Sequence, residues 1–209
     1  MKLYMVRHGE TDWNKARKIQ GQVDIPLNEF GRHLAIETGK GLADIPFELC
    51  ISSPLLRAVE TAELILGGRN IPMITDERIE EMAFGVWEGK CCSKEGWDLP
   101  QEFCDFFEAP ERYGAPEGGE DFYMVRERLE DFLSELYQKE DLKDKNILIT
   151  THGAALCGIL NVIKDKPVSE YWGQGVHKNC AVTEVEVRDG APVILSENYV
   201  YYKDEVKAW

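Results

Sequence analysis

Short apolar runs alternate with longer stretches of helical periodicity. Leu3 to Val6 reads as a strand, and a helix follows from about Glu29 to Ala43. Phe47 to Ile51 reads as the next strand, with a helix from about Leu55 to Leu66. Further on come a helix from about Gly119 to Tyr137, the run Asn146 to Thr151, a helix after Gly153, and two closing strand-like runs, Val182 to Val187 and Val193 to Tyr199. This is an α/β alternation, and it predicts a mostly parallel sheet between helices. Lys90 to Gly118 breaks the pattern. It is rich in Pro, Gly, Glu, aromatic residues and Cys, and reads as an irregular or partly helical insertion of the kind that covers a site.

With 209 residues, 44% of them apolar, the chain suits one domain with a full core, spanning 1–209. The net charge of -14 is spread along the sequence, which argues against nucleic acid or an anionic membrane as partner. Any anion must then be captured locally. Met1 and Lys2 lead directly into a strand-like run, with no apolar signal core and no apolar stretch of membrane-spanning length. A cytoplasmic protein without a membrane partner is expected, and a homodimer is left open. The six cysteines match no zinc-ligand spacing and read as reduced thiols; Cys50, Cys157 and Cys180 look like core residues, and no metal is expected.

The chemistry gathers at strand ends. Leu3-Tyr4-Met5-Val6 runs into Arg7-His8-Gly9, and Ile147 to Thr151 runs into His152-Gly153, so two of the four histidines share one context. In open α/β sheets the crevice beyond the carboxyl ends of the strands is the usual ligand site, and Gly9 would let backbone amides approach an anion. A third segment, Ser52-Ser53-Pro54, precedes a helix whose first turn carries Arg57. Taken alone Arg57 is a solvated charge; with Arg7 and two histidines it completes an anion pocket, since guanidinium groups bind phosphate oxygens through paired donors. His33 falls in a surface helical pattern and His177 in a polar Gly-rich loop, and both read as structural or exposed.

These blocks, taken in order, resemble the histidine phosphatase superfamily in its phosphoglycerate-mutase-like branch. Arg7-His8-Gly9-Glu10-Thr11 with Asn14 resembles its signature. Gln20-Gly21 with Asp24 to Asn28, Ser52-Ser53-Pro54 with Arg57, Glu60 and Thr61, Glu81 with Phe84-Gly85 and Trp87-Glu88-Gly89, Gly118-Gly119-Glu120, and Thr151-His152-Gly153 resemble the later blocks. The match covers nearly the whole chain; Ala83 and Cys91-Cys92 depart from the usual pattern.

The resemblance implies a three-layer α/β/α sandwich with a mostly parallel central sheet, and an insertion at about 90–118 capping the site. It further implies that His8 attacks phosphorus and becomes a phosphohistidine, while Arg7, Arg57 and His152 hold the non-bridging oxygens with Asn14 as an added donor. Glu81 takes the position of the general acid, with Glu80 as a competing carboxyl. Gln20, Gly21 and Gly153 line the substrate side, and no cofactor is needed. The implied substrate is a small phosphorylated metabolite. Water as acceptor makes the protein a phosphatase. Two other readings stay open: a cofactor-dependent mutase, disfavoured because Lys90 to Gly118 is short and acidic, and a non-catalytic phosphate-binding regulator, disfavoured because every reactive position is filled.

Overall fold

A computed structural model describes residues 1–206, so the last three residues of the expected 1–209 unit lie outside the described residues. The strands are β1 (Lys2–Arg7), β2 (Phe47–Ser52), β3 (Met73–Thr75), β4 (Asn146–Thr151), β5 (Val182–Arg188) and β6 (Ala191–Tyr199). The helices are α1 (Asp12–Lys15), α2 (Glu29–Gly41), α3 (Leu56–Leu66), α4 (Cys104–Glu108), α5 (Phe122–Gln138) and α6 (Gly153–Ile163). One six-stranded sheet runs β3-β2-β4-β1-β5-β6. β3, β2, β4 and β1 are parallel, and β5 and β6 join antiparallel at one side.

Side-chain alternation sorts the core onto the two faces of this sheet. Leu3 and Met5 of β1, with Ile147 and Ile149 of β4, pack in the cluster that holds α5 and α6 side chains such as Leu129 and Leu156. Tyr4, Val6 and Leu148 face the other way, toward Leu34 of α2 and Ile65 of α3. The result is helices on both faces of a mixed sheet. Among the described residues no helix is long and apolar enough to cross a membrane.

The sequence reading missed β3, whose three residues are all exposed, and α1, four residues long; the span 90–118, read as irregular or partly helical, holds α4 and two short 3-10 turns. Each is too short or too exposed for periodicity to register.

β1 and β4 lie side by side in register, Arg7 opposite Thr151, so the residues that follow each strand emerge together. The loop after β1 is pressed against the start of α2: a Cβ on Gly31 would lie 2.1 Å from the Glu10 carbonyl oxygen and 2.5 Å from its nitrogen. Only glycine allows that approach. Gly31→Ala, a change that ordinarily favours a helix, is therefore expected to lower stability by about 1–3 kcal/mol through overpacking. A urea midpoint equal to or above wild type would contradict this.

Candidate active site

The two strand-end histidines meet at the carboxyl edge of the sheet. His8 donates its backbone N–H to the Thr151 carbonyl across the β1–β4 junction at 2.9 Å, and the His8 and His152 rings lie 5.2 Å apart at 54°. His8 Nδ1 sits 2.7 Å from the Gly9 carbonyl. A carbonyl only accepts, so the network assigns the proton to Nδ1 and leaves Nε2 with a free lone pair. His8 lines a cavity of about 240 Å³ together with Arg7, Arg57, Asn14, Gln20 and Glu81.

Arg7 and Arg57 are 3% and 0% exposed, an expensive position for two cations. Arg7 donates to the His177 carbonyl at 2.6 Å; Arg57 donates to the carbonyls of Gly21 and Val23 at 2.6 and 2.9 Å. Burial pulls both guanidinium pKa values down to about 10, opposed by the nearby Glu81 charge, so both remain cationic at neutral pH. The His8 pKa lies well below its ordinary value through burial, with Arg57 and Arg7 adding to the effect; the His152 pKa falls the same way, through burial and then Arg57. His8 is held neutral with a bare Nε2 between cations.

The loops that receive Arg57 are themselves fixed. Gly21 has φ +55°, and a Cβ there would stand 2.0 Å from Glu88 Oε1. Glu88 accepts from the Gln22, Val23 and Phe84 amides, tying the two segments together. Thr11, the N-cap of α1, exchanges hydrogen bonds with Asn14 and donates to Gln20 Oε1 at 2.9 Å. Both amide side chains thus use their oxygens internally and keep their NH2 groups for the cavity.

The structure revises how the anion is met. The Gly9 amide donates to Thr61 Oγ1 at 2.9 Å, and the amides of Gly153, Ala154 and Ala155 at the start of α6 all donate to the Glu81 carboxylate at 2.9–3.1 Å. The backbone amides expected for a bound anion are already used, and Glu81 is the anion that satisfies the helix N-terminus. Gly153 borders the cavity because its missing side chain leaves room beside Val176 and Arg7. Side chains, rather than amides, face any phosphoryl group.

His152 is fully buried and does not border the cavity. Its Nε2 lies 2.7 Å from Ser53 Oγ, which accepts from the Leu55 amide; assigning the Ser53 hydroxyl proton to Nε2, the acceptor within reach, places the His152 proton on Nδ1. That Nδ1 and Arg57 Nε are buried side-chain atoms without a hydrogen-bond partner among the described residues. Buried donors of this kind normally have partners. A ligand with several acceptor oxygens seated against His8 would supply them.

Glu81, not Glu80, reaches the cavity. Its position comes from a clamp that sequence reading missed. Arg128 of α5 donates to the carbonyls of Arg78, Glu80 and Glu81 while Glu120 holds it through both carboxylate oxygens, and Glu120 also accepts from the Ala83 amide. Glu120 was visible in Gly118-Gly119-Glu120, but Arg128 sits in an ordinary charged helix pattern. His177 is buried rather than exposed. Its ring sits 3.5 Å from Glu197, and its carbonyl receives Arg7, so the loop around it orients a guanidinium. His33 is on the surface beside Asp204. All six cysteines are free thiols, and no cluster that could hold a metal occurs among the described residues.

Comparison with known proteins agrees with this geometry. The family model described as histidine phosphatase superfamily (branch 1) matches residues 3–200. An uncharacterized phosphatase, PhoE, of Bacillus subtilis is 34% identical over 164 residues, 76% of this chain and 75% of that protein. The solved structure of Bacillus stearothermophilus YhfR superposes with a TM-score of 0.88 at 36% identity, covering 95% of this chain and 97% of that one. A mycobacterial glucosyl-3-phosphoglycerate phosphatase complexed with VO3 gives 0.84 at 27%, covering 95% and 98%.

The two neutral histidines carry a pH signature. Their native pKa values lie below the ordinary 6.5, so below that pH the unfolded chain binds protons that the native state refuses. They cost nothing above pH 6.5, and stability falls progressively below it. The urea midpoint of wild type should therefore drop between pH 7 and pH 5 by more than that of His8→Asn. Equal slopes for the two proteins would contradict the buried neutral imidazole.

Proposed function

Because the chain belongs to branch 1 of the histidine phosphatase superfamily, we propose that it is a phosphatase that hydrolyses small-molecule phosphomonoesters through a phosphohistidine on His8, working without a metal or cofactor. The observation that carries the reading is His8 itself, neutral, with Nδ1 committed to Gly9 and Nε2 on the floor of the cavity between two buried guanidinium groups.

In the first step the Nε2 lone pair forms a bond to phosphorus as the ester P–O bond breaks. Arg7 and Arg57 meet the non-bridging oxygens and stabilise the charge spread over them, with Asn14 and Gln20 as further donors; His152 Nδ1, buried behind His8, joins them once the seated phosphoryl group opens a path to it. The ester enters as its monoanion, its phosphoryl O–H proton passes to the Glu81 carboxylate on binding, and Glu81 hands that proton to the leaving alkoxide. In the second step a water gives that proton back to Glu81 and attacks phosphorus, the N–P bond breaks, and phosphate and a restored His8 are released. Glu81 Oε1 accepts from Met82 and Ala155, and Oε2 from Gly153 and Ala154. All four of its lone-pair positions are thus taken, and proton transfer requires the carboxyl to turn away from at least one amide. The whole chain acts as one unit in this reading, with residues 90–118 as its cap; Phe106 and Phe107 from that span lie in the cavity wall, which supports the assignment. Relatives named as phosphoserine phosphatase and glucosyl-3-phosphoglycerate phosphatase support a small phosphorylated substrate.

A panel of small phosphomonoesters assayed with chelator present checks the reading. Wild type should release phosphate regardless of chelator and His8→Ala should lose about 10³-fold or more of that rate. Glu81→Ala should lose about 10²–10⁴-fold, least for esters whose alcohol leaves readily unprotonated. Turnover that persists in His8→Ala, or bisphosphoglycerate-dependent interconversion of phosphoglycerates outpacing phosphate release, would overturn it.

A further inference from the structure

The cavity is divided by chemistry. His8, Arg7, Arg57, Asn14, Gln20 and Glu81 supply the polar side chains of its lining that would meet a phosphoryl group. The other side chains of the lining are Ile19, Phe84, Phe106, Phe107, Trp172 and Val176, and the one further charged side chain among them is Lys18.

These rings cannot easily rearrange to offer polar groups. Phe106 is wedged against Phe84 at 5.2 Å, Phe103 at 5.0 Å, Phe122 at 5.2 Å and Trp172 at 4.8 Å between centroids. Trp172 spends its single donor on the Phe106 carbonyl at 2.7 Å, so the face it turns to the cavity is apolar. Phe107 lies within 25° of parallel to Trp172 and is still 43% exposed. Packing explains Phe103 and Phe122, which are fully buried and stay clear of the cavity; it does not explain why the exposed edge of the cluster faces the site.

Resting on the phosphatase reading above, we propose that the organic half of the substrate is an uncharged, apolar, ring-bearing group seated against Phe106, Phe107 and Trp172, and that polyhydroxylated or doubly anionic phosphates are poor substrates. A sugar phosphate would lose the water around its hydroxyls and find no side-chain partners on these walls, which is costly. A second phosphate or a carboxylate would meet Lys18 alone, in a chain of net charge -14. A flat apolar ring loses nothing and gains stacking and burial. The cavity of about 240 Å³ is below the 300–1,000 Å³ typical for drug-sized ligands, which favours a single ring system over a large conjugate.

Benzyl phosphate and glycerol 1-phosphate test this directly. Both release primary alkoxides, so the comparison reads the wall rather than leaving-group reactivity. Wild type should show kcat/KM for benzyl phosphate higher by on the order of 30-fold, the amount expected for burying one ring. Phe107→Ala, at a position 43% exposed, should shrink that ratio to within a few-fold of unity, chiefly through KM for benzyl phosphate, with an unchanged urea midpoint as the check on folding. Phosphate release with equal efficiency from both esters, or faster from glycerol phosphate, would overturn the substrate class and leave the phosphatase reading standing. A high ratio unchanged in Phe107→Ala would overturn the assigned wall. Release from neither ester would remove the phosphatase reading and this inference with it.

Discussion

Two guanidinium groups buried beside an imidazole set the terms for the rest of the site. Arg7 and Arg57 are almost wholly withdrawn from water, and a buried cation is tolerable only if its donors are met and its charge is opposed. The carbonyls of Gly21, Val23 and His177 meet part of the need, which is why these loops are fixed: Glu88 gathers the 21–23 turn, and the Glu197–His177 contact steadies the other loop. Glu81 supplies the opposing charge. The remaining capacity, represented by Arg57 Nε and His152 Nδ1, points to an anion that arrives with the ligand. The same burial that is costly for the arginines keeps His8 uncharged, so in the proposed mechanism one desolvated pocket produces both the electrophilic clamp and the nucleophile.

Glu81 ties the proposed catalysis to architecture. It sits 72 residues from the helix whose first amides it accepts, and it is carried on a segment that Arg128 and Glu120 hold by its carbonyls. A carboxyl that closes a helix end is well placed and poorly mobile, and the proposed chemistry asks it to move a proton. The balance between capping α6 and serving the leaving group is a property of this arrangement that neither role alone would reveal.

Much of this was legible in the sequence. The alternation of apolar runs and amphipathic stretches located five of the six strands and the four long helices within a few residues, because β1 and β4 are buried along nearly their whole length, α2, α3 and α5 carry an apolar stripe, and α6 is apolar almost throughout. Arg7, His8, Arg57 and His152 could be named because motif order brought them together, and the parallel β1–β4 register does bring their strand ends side by side. What was not legible depended on tertiary contacts. The α6 amides that looked ready for phosphate are taken by a distant carboxylate. Arg128 resembles any helical arginine until its three carbonyl partners are seen. The aromatic wall draws on Phe84, Phe106, Phe107 and Trp172 from three separate stretches of chain, and no local period records that convergence.

The account stands on covalent transfer to His8. Rapid-quench mixing of the wild-type protein with a hydrolysable phosphomonoester, followed by peptide mapping of the acid-labile phosphate, reads that step directly. The account predicts one phosphoryl group per chain, on His8 and formed no more slowly than phosphate is released. A label on any other residue, or steady turnover from which quenching recovers no phosphohistidine, would contradict it.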